Sequence, residues 1–207
     1  MITPQGIVCS KAIVSAGDPV LRNPAAPVGP ELFGTRELRA LVEEMVAAMR
    51  AAPGVGLAAP QLGVGLRVIV LEDSSERMSH LSAQEKAERA RAEVPLTAII
   101  NPVLRPQMSE GQPGEIYFEG CLSVPGYTAL VPRVHTVEVD GLSLEGEELH
   151  LRASGWPARI LQHECDHLDG VLYVDRMLSR SLCTTEQART RWSGRSLSEL
   201  AAAFRLR

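Results

Sequence analysis

The chain has 207 residues, the length of one domain or of one domain with an extension. Hydrophobic residues make up 45% and charged residues 22%, which excludes a chain-wide disordered composition. A net charge of −4 excludes nucleic-acid binding driven by bulk positive charge, so no specific DNA contact is expected.

Residues 1–23 carry only Lys11 and Arg22 as basic groups and lack the apolar stretch of a secretory signal, so secretion is not expected. Residues 1–34 are rich in Pro and Gly and are predicted to wrap a core in extended form. Thr35 then reads as an N-cap. Leu38, Leu41, Val42, Met45, Val46 and Met49 follow at the spacing of an amphipathic helix, which Ala51, Ala52, Pro53 and Gly54 end. Residues 54–61 form a glycine-rich loop, and 66–71 read as a short buried strand. That apolar run is far below the roughly 20 residues of a bilayer span, so no membrane contact is expected.

Residues 73–94 are polar and charged, with a weak capping box at Ser82 and Glu85. They read as an exposed, partly helical insertion. Residues 97–100 and 115–118 read as strands. Residues 134–140 and 142–151 alternate with period two around Glu145 and Gly146, predicting an antiparallel hairpin. Residues 157–168 read as one helix, with Pro157 at its first position and Gly170 just past its end. Strands grouped between two helices predict an α+β fold. Its antiparallel β-sheets would pack around the second helix, with the N-terminal amphipathic helix beside them. From 176 onward seven arginines face two glutamates, a local charge of +5 in a chain of net −4. The division expected is therefore a domain over 1–180 and a basic, partly helical extension over 181–207, with a short helix near 196–206.

The second helix carries His163, Glu164, Cys165, Asp166 and His167, a His-Glu-x-x-His pattern. Residues four apart share a helix face, so both imidazoles can reach one cation, with Glu164 beside the open position. Ile160, Leu161, Leu168, Val171 and Leu172 make the helix buried, and Leu161, Cys165 and Leu168 are assigned to the core. Two buried imidazoles beside a buried carboxyl call for a metal. A catalytic site of this kind usually has a third protein ligand. Tyr173 stands where one familiar pattern has a third His, and Glu186, where another has a Glu, lies in the arginine-rich tail. Of the four cysteines, none in a disulfide framework, Cys165 faces the core and Cys9 and Cys183 lie in unstructured-looking ends. Cys121 remains, in Glu119-Gly120-Cys121-Leu122-Ser123 after a strand.

Three segments in order then resemble the peptide deformylase family: Gly54-Val55-Gly56-Leu57-Ala58-Ala59-Pro60-Gln61, Glu119 to Ser123, and Gln162 to His167. The resemblance runs from about Ile13 to about Arg180 and is nearest the organellar-type branch, related to the bacterial type 1 enzymes. It implies hydrolysis of the formyl group from formyl-methionyl nascent polypeptides, with release of formate. It further implies that Cys121, His163 and His167 hold one divalent cation, Fe2+ or Zn2+. Glu164 would move the proton, while the Gln61 amide and the Leu122 backbone N–H would bind the oxyanion. Val55, Trp156 and Ile160 would line the methionine pocket, and Gly56 and Gly120 would bind an extended peptide. Arg133 is expected to pair with Glu119 and brace the Cys121 loop. The partners implied are formyl-methionyl peptides and, through the basic tail, the ribosome. A bacterial cytoplasm and a mitochondrial or plastid matrix both fit. A zinc endopeptidase and a catalytically idle nascent-chain or ribosome binder are the alternative readings. His80, His135 and His150 receive no role, and Asp166 and Asp169 read as helix-end polar residues.

Overall fold

The computed structural model describes residues 2–3, 6–7, 12–52, 54–79, 86, 91–107 and 114–206. His80, Cys9 and the capping box at Ser82 and Glu85 lie outside the described residues. Two-residue strands β1 (Ile2–Thr3) and β2 (Gly6–Ile7) pair antiparallel. The amphipathic helix is α1 (Arg36–Ala51), and Thr35 Oγ1 accepts from the Leu38 N–H at 3.3 Å, as its N-cap position predicts. The stripe Leu38, Leu41, Val42, Met45 and Met49 is buried.

The main sheet holds β3 (Gly56–Ala58), β4 (Val68–Asp73), β5 (Val94–Gln107), β8 (Thr136–Leu142) and β9 (Glu148–Ser154), neighbours in that order and all antiparallel. Val68 and Val70 of β4 pack with α1, whereas Ile69 and Leu71 pack with α2 (Trp156–Leu168). Both faces of β4 are therefore covered, which explains why its sequence is a continuous apolar run rather than an alternation.

β5 runs well past the 97–100 predicted. Asn101 adopts φ +52°, and the register shifts between Ile100 and Val103. Asn-Pro reads as a turn in sequence, but here it makes a bulge, and asparagine tolerates the left-handed backbone. The Asn101 carboxamide accepts from Val28 N at 2.8 Å and donates to Val28 O at 2.9 Å, tying the N-terminal wrap to the sheet. The predicted hairpin is β8–β9. Its strands end at 154, and Gly146 at φ +85° lies in the turn.

A second sheet has the order β10 (Cys183–Thr184), β7 (Val124–Arg133), β6 (Glu115–Cys121). β7 is not predicted from sequence because Pro125, Gly126 and Pro132 obscure its alternation. β10 covers β7 only at Tyr127 and Thr128, so Pro132 lies beyond the doubly paired stretch. Cys183 is accordingly in a strand, not in an unstructured end. Ser181 is fully buried; its hydroxyl accepts from Leu130 N at 2.8 Å and donates to Leu178 O. α3 (Leu197–Phe204), capped by Ser196, meets the same sheet where the Phe204 and Phe118 rings lie 6.3 Å apart.

α2 begins one residue earlier than predicted, so Pro157 is its second residue. No intrahelical partner is lost, because first-turn N–H groups have none. Gly155 caps it at φ +64°. Gly170 follows it at φ +75°, where a Cβ would come 2.5 Å from the Arg22 carbonyl oxygen.

Candidate metal centre

α2 and the second sheet supply one cluster. His163 and His167 come from the C-terminal half of α2, His167 from its last turn, and Cys121 comes from the end of β6. Their ligating atoms lie within 4.8 Å of one another, with Cys121 Sγ 3.2 Å from His167 Nε2. Tetrahedral coordination at about 2.0–2.3 Å places donor atoms roughly 3.3–3.7 Å apart, so the spacing fits a single ion. One thiolate and two imidazoles suit zinc and ferrous iron alike. Glu186 stands outside this group, among the described residues.

The donors are held by their surroundings. His163 Nδ1 lies 3.1 Å from Glu119 Oε2, which leaves Nε2 for a cation. Arg133 grips both oxygens of Glu119 at 2.9 Å and reaches Asp166 at 2.6 Å, as Arg176 reaches both oxygens of Asp166 at 2.7 Å. Burial alone would raise the Glu119 pKa, but hydrogen bonds from His163 and Arg133 outweigh it and hold it at about 2. Asp166 is therefore a buried link in an ionic chain, not a helix-end polar residue. Ser123, fully buried, donates its N–H to Cys121 Sγ at 3.4 Å.

Glu164 is 4% exposed, and its Oε2 has no hydrogen-bond partner among the described residues. Burial pushes its pKa up to about 7, with the charges of Glu119 and Asp166 adding to the rise. A Cβ on Gly56 would lie 2.3 Å from Glu164 Oε1, so only glycine lets the carboxyl rest against β3. Gly56→Ala is expected to cost about 1–3 kcal/mol of stability by overpacking. A thermal melt reads it, and an unchanged Tm would show that the carboxyl leaves this place freely.

Gln61 is 2% exposed. Its Oε1 accepts from Ala58 N at 2.9 Å. That fixes the amide so that Nε2 points to Ser123 Oγ at 3.2 Å and Cys121 Sγ at 3.6 Å. Leu122 follows Cys121 in the turn to β7, and a Cβ on Gly54 would meet its Cδ1 at 2.7 Å. The glycine-rich loop and the cysteine turn are thus in close contact. Val55 and Trp156 pack against the apolar cluster that contains Ile160, on the α2 side of the sheet. Gly120 pairs with Thr128 across β6 and β7.

Tyr173, which sequence reasoning left without a role, is 1% exposed and stacks on His163 at 6.4 Å with an interplanar angle of 20°. Its hydroxyl has no partner among the described residues. Tyr173→Phe is expected to keep the stacking and to leave stability equal or higher by up to about 1–3 kcal/mol. A clear fall in Tm would mean that the hydroxyl is satisfied. His135 and His150 pair with Glu115 and Asp140 and take no part in the cluster.

Comparison with known proteins gives one consistent result. Residues 10–182 match the family model described as polypeptide deformylase. The chain is 49% identical over 174 residues to the chloroplastic peptide deformylase 1A of Solanum lycopersicum, covering 84% of this chain and 62% of that protein. It is 45% identical over 192 residues to peptide deformylase 3 of Streptomyces avermitilis, covering 93% of this chain and 82% of that one. The Met-Ala-Ser-bound crystal structure of a class I type b peptide deformylase from Acinetobacter baumannii superposes with a TM-score of 0.70. Its sequence identity is 34%, over 82% of this chain and 99% of that one. The chain thus spans less than two thirds of the plant relative.

Proposed function

The chain belongs to the polypeptide deformylase family, and we propose that it hydrolyses the N-terminal formyl group from formyl-methionyl nascent polypeptides, releasing formate. The observation that supports this reading is a three-donor cluster whose Cys121 Sγ meets a fixed amide N–H, with a buried carboxyl next to His163 in the chain. Cys121, His163 and His167 would hold one divalent ion, Fe2+ or Zn2+. Such an ion polarises a carbonyl and lowers the pKa of water towards neutrality.

The chain's own groups supply the rest. Glu164, with its pKa near 7, takes the proton of the attacking water and delivers it to the leaving amine. The Gln61 Nε2 and the Leu122 backbone N–H donate to the developing oxyanion of the formyl group. Val55, Trp156 and Ile160 receive the methionine side chain, and the backbones of Gly56 and Gly120 hold the peptide in extended form. The Met-first tripeptide bound by the Acinetobacter relative is compatible with that placement. The arginines of the tail supply a basic face for the ribosome, and the setting is a bacterial cytoplasm or an organellar matrix. An endopeptidase reading is weaker, since Cys121 rather than a third His or Glu completes the donor set.

The test is formate release from formyl-Met-Ala-Ser by anaerobically purified protein, with metal counted per chain. Release with about one metal per chain supports the reading. Metal-loaded protein that releases no formate overturns it.

A further inference from the structure

We propose that Asp73 and Arg91 are positioning residues that set peptide affinity by fixing Trp156 in the expected methionine pocket. The inference rests on the deformylase reading and adds a part to it. Ile69 and Leu71 of β4 face α2, and Asp73, beyond a register shift, also reaches α2 through Trp156. A carboxylate thus enters an apolar layer and is fully buried. It is stable there only if its oxygens are partnered.

Those partners tie two separate elements together. Arg91 donates to Asp73 from Nε at 2.6 Å and from Nη2 at 3.1 Å. Trp156 Nε1, at the start of α2, donates to the same Asp73 Oδ2 at 2.8 Å. The Arg91 guanidinium also lies 4.9 Å from the Trp156 ring centroid, within cation–π range. At the glycine-rich loop, Glu72 N donates to Val55 O at 2.9 Å, and Arg77 Nη2 donates to Gly54 O. Neighbouring residues at the end of β4 therefore hold Val55 and Trp156, the two partly buried members of the expected methionine pocket.

Arg77 and Arg91 lie in the polar 73–94 stretch, whose purpose the cluster itself does not explain. Arg91 contacts Asp73 and Trp156, and Arg77 contacts Gly54, rather than the metal donors. Their effect should therefore fall on substrate affinity and not on the chemical step. Affinity lost equally from ground and transition states raises KM and leaves kcat alone.

Arg91→Gln and Asp73→Asn are compared with the parent in a Trp192→Phe background, so that Trp156 is the sole indole emitter. Both variants are expected to raise KM for formyl-Met-Ala-Ser about tenfold with kcat within about twofold, and to shift the Trp156 emission. Arg91→Lys should restore part of each change. Trp156→Phe, which leaves the Arg91–Asp73 pair in place, should raise KM in the same way with kcat again within about twofold. Unchanged KM in Arg91→Gln and Asp73→Asn overturns the inference, as does a fall in kcat with loss of metal. A parent that releases no formate at all overturns the deformylase reading instead, which keeps the two failures distinct.

Discussion

Glu164→Gln is expected to keep the metal and the fold while lowering kcat/KM by about 10²–10⁴-fold, the usual share of a positioned general acid–base. Glu164 is not among the clustered donors, so metal content should stay at the parent's level. Its carboxyl is buried, has an unpartnered oxygen and is pressed against Gly56. Glutamine has nearly the same volume and carries no charge into that place. Stability should hold or rise as turnover falls, the trade expected where a site keeps a costly group for chemistry. Formate release, metal analysis and a thermal melt on one preparation check all three. Near-parental turnover would remove Glu164 from the mechanism and leave the attacking water without a base.

The parts of this fold that were legible from sequence are those whose cause is local. The α1 stripe, the Thr35 cap and the α2 span follow from a 3.6-residue period and nearby capping residues. The β8–β9 hairpin follows from alternation around a glycine turn. His163, Glu164 and His167 were legible because one helix face sets their spacing. Cys121 required a choice among four thiols, and the fold brings its Sγ within 4.8 Å of the two imidazole donors. What was hidden depends on partners distant in sequence. β7 carries prolines that a strand pattern excludes, yet pairing with β6 at Val124 and from Thr128 to Arg133 holds it. Asp166 looks like any polar residue near a helix end until Arg133 and Arg176 are seen on it. Asp73 looks like the polar end of a strand, and its burial is explained by Arg91 and by Trp156, 83 positions away.

Arg133→Met is expected to cost about 3–5 kcal/mol, because removing one member of a buried ion pair leaves the other charge uncompensated. Arg133 sits between Glu119 and Asp166, with side chains 3%, 7% and 10% exposed. Arg176 still covers Asp166 after the change, but Glu119 keeps only His163. The pairing of Arg133 with Glu119 is the half of this chain that the sequence suggests, and it is the half whose loss makes the cost large, because Asp166 keeps Arg176. A second effect follows from position. Glu119 orients His163, and loss of such an outer partner typically weakens metal affinity about 10–100-fold. The two effects separate in the double variant Arg133→Met, Glu119→Leu. Replacing both members by apolar groups removes the stranded charge, so much of the stability should return. The brace on His163 is still missing, so metal affinity should stay low. A chelator titration beside a thermal melt reads both quantities. An Arg133→Met protein melting with its parent would show that Glu119 finds another cation. A double variant that regains metal affinity with stability would show that the fold, not Glu119, orients His163.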